Sequence, residues 1–317
     1  MTKILISGGT GFVGANLIHK LIKTKNEIHV LVRTTSDLWR IKNIQKKINI
    51  HKVDLLESKK LKNIIKTINP ETVYHLAAYG IKHSESNLSK TLESNIIGTA
   101  NLLSSLESLD NLCRVVNVGS QAEYGKQKKN QSCKETDFLN PITAYGIAKA
   151  SQTYLCNYYF LKKYPITTLR IFSPYGMYED KGRLVADIML SLVRKEPLTI
   201  SSPSITRDFI FVEDVVDALI LAAKKPNIEG EIINIGTSKK LTINELIELC
   251  PNSSQLKFNL QFSETKKRPT DKMGGIGLSS NINRASELLK WKPKFTTFEA
   301  LQKTHRWFKK NIDLYEK

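Results

Sequence analysis

Apolar positions in the first 120 residues fall into short runs. Ile4-Leu5-Ile6-Ser7 is the first, Ile28 to Val32 the second and Ile48 to Val53 the third, followed by Val73-Tyr74-His75-Leu76-Ala77 and Arg114 to Val118. Runs this short and this continuously apolar predict strands covered on both faces. Between them the period lengthens. Val13, Leu17, Leu21 and Ile22 share one face of a helix predicted over 12–24, and further helices are predicted over 58–68, ahead of Pro70, and over 88–107. Strand and helix in alternation predict an α/β fold with a doubly wound parallel sheet. Beyond it, a long helix runs from about Thr143 to Lys163, stopped by Pro165, and Thr167 to Phe172 predicts a sixth strand. Pro and Gly then become denser over 173–207 and 251–277, which predicts short, irregular elements.

Composition narrows the class. The chain has 317 residues, 41% of them hydrophobic, enough for a sizeable core. Its four cysteines are scattered with no CxxC pair, which disfavours a disulfide scaffold or a zinc ribbon, so no metal is expected. No apolar run reaches the roughly 18 residues needed to span a bilayer. Met1-Thr2-Lys3 leads straight into the first strand without a signal-peptide layout, and the expected setting is the cytoplasm. A formal charge of +18 raises the question of a nucleic acid partner. The cations are 38 lysines, dispersed in pairs such as Lys46-Lys47 and Lys309-Lys310, against 10 arginines. Base and phosphate readers concentrate Arg and interleave aromatics, so a solvated basic surface is the better account, with no nucleic acid and no membrane partner expected.

The candidate chemistry begins at residue 8. Gly8-Gly9-Thr10-Gly11-Phe12-Val13-Gly14 joins the first strand to the first helix. Glycines permit the tight turn and the backbone's approach to a pyrophosphate, and Gly14 permits close helix–strand packing. Phe12 and Val13 open the helix, whose first turn presents unpaired N–H groups to phosphate. Arg33 lies 19 positions after Gly14 at the end of the second strand, where a dinucleotide site carries an acid for a ribose hydroxyl or an Arg for a 2′-phosphate. Arg33, with Arg40 as a further donor, therefore predicts NADP, and NAD remains the alternative.

Tyr145 and Lys149 are four apart at the start of the long helix and share a face. A neighbouring ammonium is expected to lower the phenol's pKa toward the working range of a general acid/base. Ser120, at the end of the fifth strand, offers a hydroxyl to orient a substrate oxygen.

With these motifs the sequence resembles the extended short-chain dehydrogenase/reductases, the nucleotide-sugar epimerase/dehydratase group. The resemblance covers nearly the whole chain: Val53-Asp54-Leu55, His75-Leu76-Ala77-Ala78, Asn95 in Ser94-Asn95-Ile96, Arg207-Asp208-Phe209, Arg268-Pro269-Thr270-Asp271 and Leu289-Lys290-Trp291-Lys292-Pro293. It implies a Rossmann domain over 1–172 plus about 208–236, and a smaller α/β nucleotide-sugar-binding region over 173–207 and 237–317. It implies cofactor contacts at Gly8, Gly11, Phe12, Val13, Gly14, Arg33, Asp54, Leu55, Ala77, Ala78, Asn95 and Lys149. Substrate contacts are implied at Ser120, Gln121, Tyr145, Ser173, Arg207, Arg268 and Asp271, with both late arginines on the diphosphate. His75 is expected to be a satisfied structural histidine.

Departures from the group's pattern refine the expected reaction. Its dehydratases carry acid in the two positions after the Ser or Thr, but here Gln121 and Ala122 stand there and the carboxylate comes at Glu123, expected to be solvated. Ser173 stands where most relatives have Asn. The expected reaction is NADPH-dependent reduction of a 4-keto-6-deoxy sugar nucleotide, with a nucleotide-sugar 4-epimerase holding NAD tightly as the alternative. A 4,6-dehydratase and a non-catalytic sensor rank below both. Tyr154, Leu155, Tyr158, Tyr159 and Phe160 give the long helix more apolar surface than one core stripe requires, which predicts a homodimer through it.

Overall fold

The computed structural model describes residues 2–316 apart from 82–84, 86, 110, 128–131, 259 and 264–276. Seven strands form the central sheet: β1 (Lys3–Ser7), β2 (Glu27–Val32), β3 (Asn49–Lys52), β4 (Thr72–His75), β5 (Arg114–Ser120), β6 (Ile166–Ile171) and β7 (Ile232–Ile235). Their order is β7-β6-β5-β4-β1-β2-β3, and every pairing is parallel. The chain winds outward in one direction from β1 through β3 and in the other from β4 through β7. This leaves a switch point between β1 and β4, where open α/β sheets bind ligands beyond the strand ends.

Both faces are covered. Helices Phe12–Leu21 and Val212–Lys224 bury Leu17, Ile18, Val215 and Leu219 against one face. Helices Ser58–Ile68, Gly98–Leu106 and Ala144–Leu161 bury Leu61, Ile65, Leu102, Leu103 and Cys156 on the other. The 58–68 helix spans the residues its apolar spacing predicts. Leu61, Ile65 and Ile68 turn inward, and left-handed Asn69 ends the helix ahead of Pro70.

Other elements depart from the expected bounds. The predicted 73–77 strand ends at His75, freeing Leu76, Ala77 and Ala78 to turn over the edge of the sheet. The predicted 88–107 helix is α-helical at Leu88–Leu92 and Gly98–Leu106 but π-helical at Glu93–Ile97. A 3₁₀ helix at Trp39–Lys47 has no counterpart in the apolar periodicity of the sequence.

A second core lies beside the sheet. Phe12, Tyr175, Val185, Met189, Phe209, Ile247, Leu301 and Phe308 meet there, drawn from the first helix and from elements after residue 173. Ala285, Leu289 and Trp291, although within the stretch expected to bind substrate, join the core of the sheet instead. The Trp291 indole N–H donates to the Asp214 carbonyl at 3.1 Å, which fixes that attachment. Among the described residues no helix is long and apolar enough to cross a membrane.

Candidate active site

At the switch point β1 runs into the glycine loop. Gly8 has φ of +73°, a conformation that disfavours a side chain, and a Cβ there would lie 2.4 Å from the Ala77 nitrogen. A Cβ on Gly14 would lie 2.3 Å from the Gly8 carbonyl oxygen, so loop, helix and the segment after β4 nest directly on one another. Gly11 is different: a Cβ there would meet only the Gly8 oxygen, at 3.3 Å. No side chain caps the helix that Gly11 precedes, and its first turn holds no acid. An open, uncapped and uncharged helix start suits a pyrophosphate, so the loop fits the dinucleotide that its sequence implies.

The residues around the loop divide into free and occupied groups. Arg33 is exposed at the end of β2, and its side chain bonds no described residue. Arg40, expected as a phosphate donor, is buried with every arm occupied. Nε donates to the Tyr178 carbonyl at 2.8 Å and Nη1 to the Thr10 carbonyl at 3.2 Å, while Nη2 pairs with Asp180 at 2.8 Å. Asp54 is half-buried and accepts from the Leu56 N–H at 3.0 Å. Leu55 packs on Gly98, where an added Cβ would come within 3.2 Å of it.

The Asn95 carboxamide clamps Tyr79, accepting from its N–H at 3.0 Å and donating to its carbonyl at 2.8 Å. Asn95 therefore holds the segment that carries Ala77 and Ala78, and its polar atoms are engaged within the protein. His75 is buried between the Ser7 and Thr99 hydroxyls, at 2.6 and 2.8 Å, and burial pushes its pKa down to about 3. It is the satisfied structural histidine its context suggests.

The residues expected to handle protons meet at the end of β5. Thr143 caps the Ala144–Leu161 helix by accepting from the Gly146 N–H, which sets the first turn and Tyr145 with it. The Tyr145 phenol lies beside the Ser120 hydroxyl. Burial raises the phenol to about 12, with the Ser120 hydroxyl opposing the rise. This reverses the expected direction, because burial outweighs the groups that favour the charged form, and Lys149 is engaged elsewhere. Its buried ammonium donates to the Val118 carbonyl and to Gln152 Oε1, so two acceptors on its own side of the site engage it. Burial lowers Lys149 to about 8, against the pull of Glu123.

Glu123 corrects the expectation of a solvated carboxylate. It is fully buried, pairs with Arg170 Nε at 2.8 Å, and accepts from the Ser120 N–H at 2.7 Å and the Thr153 hydroxyl at 2.9 Å. Gln121 and Ser173, both singled out as departures, bond each other: Gln121 Nε2 donates to Ser173 Oγ at 2.9 Å. Arg207 is buried and donates to the Thr206 carbonyl at 2.7 Å, on a short strand paired with Leu241–Thr242. Arg268 and Asp271 lie outside the described residues.

Sequence reasoning missed two site residues. Arg183 sits with its guanidinium 6.0 Å from the Phe12 ring, pairs with Glu179 at 2.8 Å and acts on the charge of Tyr145. Its signal was a Gly182-Arg183 pair directly before a helix start. Gln152, buried against Lys149, had the same helical face as its signal. Among the described residues no cluster of His, Cys, Asp or Glu could hold a metal.

The family model for the NAD dependent epimerase/dehydratase family matches residues 4–236. The chain belongs to that family. A UDP-glucuronic acid decarboxylase of Arabidopsis thaliana is 30% identical over 94% of this chain and 86% of its own. The structure of a UDP-glucose 4-epimerase from Thermotoga maritima with UDP-glucose is 28% identical, with a TM-score of 0.85 over 98% of this chain and 100% of that one. A UDP-glucuronic acid 4-epimerase from Bacillus cereus in complex with NAD is 25% identical, with a TM-score of 0.80 over 99% of this chain and 100% of that one. Family membership makes the chain an enzyme of nucleotide-sugar metabolism on a Rossmann-type fold.

Proposed function

We propose that the protein is a nucleotide-sugar 4-epimerase that retains NAD and acts on a UDP-hexose or its uronate. The observation that carries this reading is the joint placement of Tyr145, Ser120 and Glu123. A single proton-transferring phenol lies beside a single orienting hydroxyl, and the nearby carboxylate is withdrawn into a buried ion pair with Arg170. Such a set can exchange one proton at one carbinol. Elimination of water needs an additional acid and base at neighbouring carbons, and Gln121 and Ala122 supply neither.

Solved relatives that carry out 4-epimerisation support this reaction over the expected reductase, and a relative in complex with NAD supports NAD over NADP. Exposed Arg33, free of described partners, then lies beside the adenosine ribose rather than on a 2′-phosphate. NAD supplies, when bound, the acceptor and later the donor of hydride. Tyr145 takes the proton from the sugar's 4-hydroxyl and returns it after the keto sugar has turned over. Ser120 orients the same oxygen. Lys149, released from Gln152, stabilises the phenolate. Gln121, braced by Ser173, and Arg207, with the undescribed Arg268 and Asp271, hold the nucleotide sugar.

Two further parts of this reading concern organisation. Residues 1–172 with about 208–236 bind the dinucleotide, and the remainder, less the 283–291 attachment, covers the substrate. Two copies pair through the long helix. Tyr154, Tyr158 and Leu161 stand 64%, 55% and 69% exposed in one stripe, whereas Tyr159 turns into the core.

Decarboxylation is the second reading, favoured by the relative at 30% identity, since a 4-keto uronate can lose carbon dioxide without a further acid. Products from UDP-glucose and UDP-glucuronate, followed by NMR without added cofactor, separate the two. A C4 epimer from either substrate supports epimerisation. A pentose from the uronate supports decarboxylation.

A further inference from the structure

Four consecutive residues, Met177 to Asp180, are gripped from three directions. The Met177 carbonyl accepts from Asn16 Nδ2 at 2.8 Å, the Tyr178 carbonyl from Arg40 Nε at 2.8 Å and the Glu179 carbonyl from the Tyr315 hydroxyl at 2.8 Å. The Tyr178 ring stacks on His19, with centroids 4.8 Å apart and planes within 10°, and Asp180 pairs with Arg40. Tyr178 adopts φ of +65°, a conformation costly to a bulky residue and sustained only where its surroundings enforce it. Asn16 and His19 lie on the helix that opens at the glycine loop, and Arg40 lies on the following 3₁₀ helix. Tyr315 comes from the end of the chain.

Arg40 is the hub. It is 5% exposed, its guanidinium lies 4.4 Å from the Trp39 ring centroid, and its remaining arm reaches the carbonyl of Thr10 inside the glycine loop. A loop that holds pyrophosphate must turn its N–H groups toward the anion and its carbonyl oxygens away from it.

We propose that Arg40 is a positioning residue for the dinucleotide: it holds the Thr10 carbonyl out of the phosphate's field and locks the glycine loop to the 177–180 strap. This rests on the reading that the glycine loop takes NAD. It adds that the strap governs how firmly the cofactor is kept between turnovers. Arg40 makes no contact with the reacting atoms. A guanidinium is required because three acceptors in different directions must be met at once, which an ammonium on a flexible stem meets poorly.

The test is the affinity and release rate of NADH, read by its fluorescence with the full chain and no substrate. Arg40→Met is expected to weaken NADH binding at least tenfold and to speed release by a similar factor. Arg40→Lys is expected to recover part of the loss. Asp180→Asn, which keeps the Thr10 contact but slackens the strap, is expected to speed release several-fold, and it carries the test if Arg40→Met does not fold. NADH affinity and release within twofold of the parent in either folded variant, Arg40→Met or Asp180→Asn, would overturn the proposal. If the parent chain binds no dinucleotide, the reading of the glycine loop fails first. If the parent binds and these variants bind equally, only the role of Arg40 fails.

Discussion

Glu123 and Arg170 form an ion pair at 2.8 Å in which neither side chain reaches solvent. The pair joins the turn after β5 to β6, and Glu123 also accepts from the Ser120 N–H, so it fixes the backbone that presents the Ser120 hydroxyl. Removing one partner leaves an uncompensated buried charge, which costs about 3–5 kcal/mol. Arg170→Met and Glu123→Gln are therefore both expected to lower the urea midpoint sharply, the second because it leaves the Arg170 charge unpaired and offers one acceptor oxygen where Glu123 uses two. Equilibrium unfolding checks this. A loss under 1 kcal/mol for Arg170→Met would mean the pair has little structural weight.

Tyr145→Phe removes the proposed proton carrier without touching the glycine loop. Turnover is expected to fall at least 10³-fold, while NADH affinity stays within twofold of the parent. Single-turnover kinetics beside a fluorescence titration separate the two. Equal losses in both would place Tyr145 in cofactor binding instead.

Acid stability reports on His75. Its folded pKa is depressed to about 3 by burial, while the unfolded chain takes up a proton near 6.5. The unfolded state therefore binds more protons between those values, and the contribution of neutral His75 is complete above pH 6.5 and lost as pH falls toward 3. The full effect is on the order of 5 kcal/mol. His75→Gln, which can still bond Ser7 and Thr99 but does not titrate, is expected to move the acid-unfolding midpoint to lower pH. An unchanged midpoint would contradict the assignment of His75 as a buried neutral group.

The proposed dimer places Tyr154, Tyr158 and Leu161 at its centre. Sedimentation at micromolar concentration is expected to give twice the 35.9 kDa chain mass, and Tyr158→Lys with Leu161→Asp to give the monomer. A monomeric parent would rule out pairing through this helix.

How much of this could be read from the residues follows from the range of the interactions. The glycine loop, the 58–68 helix and the Tyr145–Lys149 spacing are local patterns, and the structure carries them where the pattern predicts. The ion pair of Glu123 and Arg170 spans 47 positions, and the bond between Arg40 and Tyr178 spans 138. Neither has a periodic signature, which is why one residue was expected in solvent and the other on a phosphate. The phenol of Tyr145 was misjudged for a related reason. The spacing puts Lys149 one turn from Tyr145, but burial of the phenol governs its pKa, and the Lys149 ammonium is taken up by Val118 and Gln152.

The most direct measurement of the central claim is proton NMR of UDP-glucose, and separately of UDP-glucuronate, incubated with purified protein and no added dinucleotide. One of them is expected to be converted to its C4 epimer until the two reach equilibrium, with no net consumption of cofactor. No epimer from either, together with oxidation of NADPH in the presence of a 4-keto-6-deoxy sugar nucleotide, would contradict it.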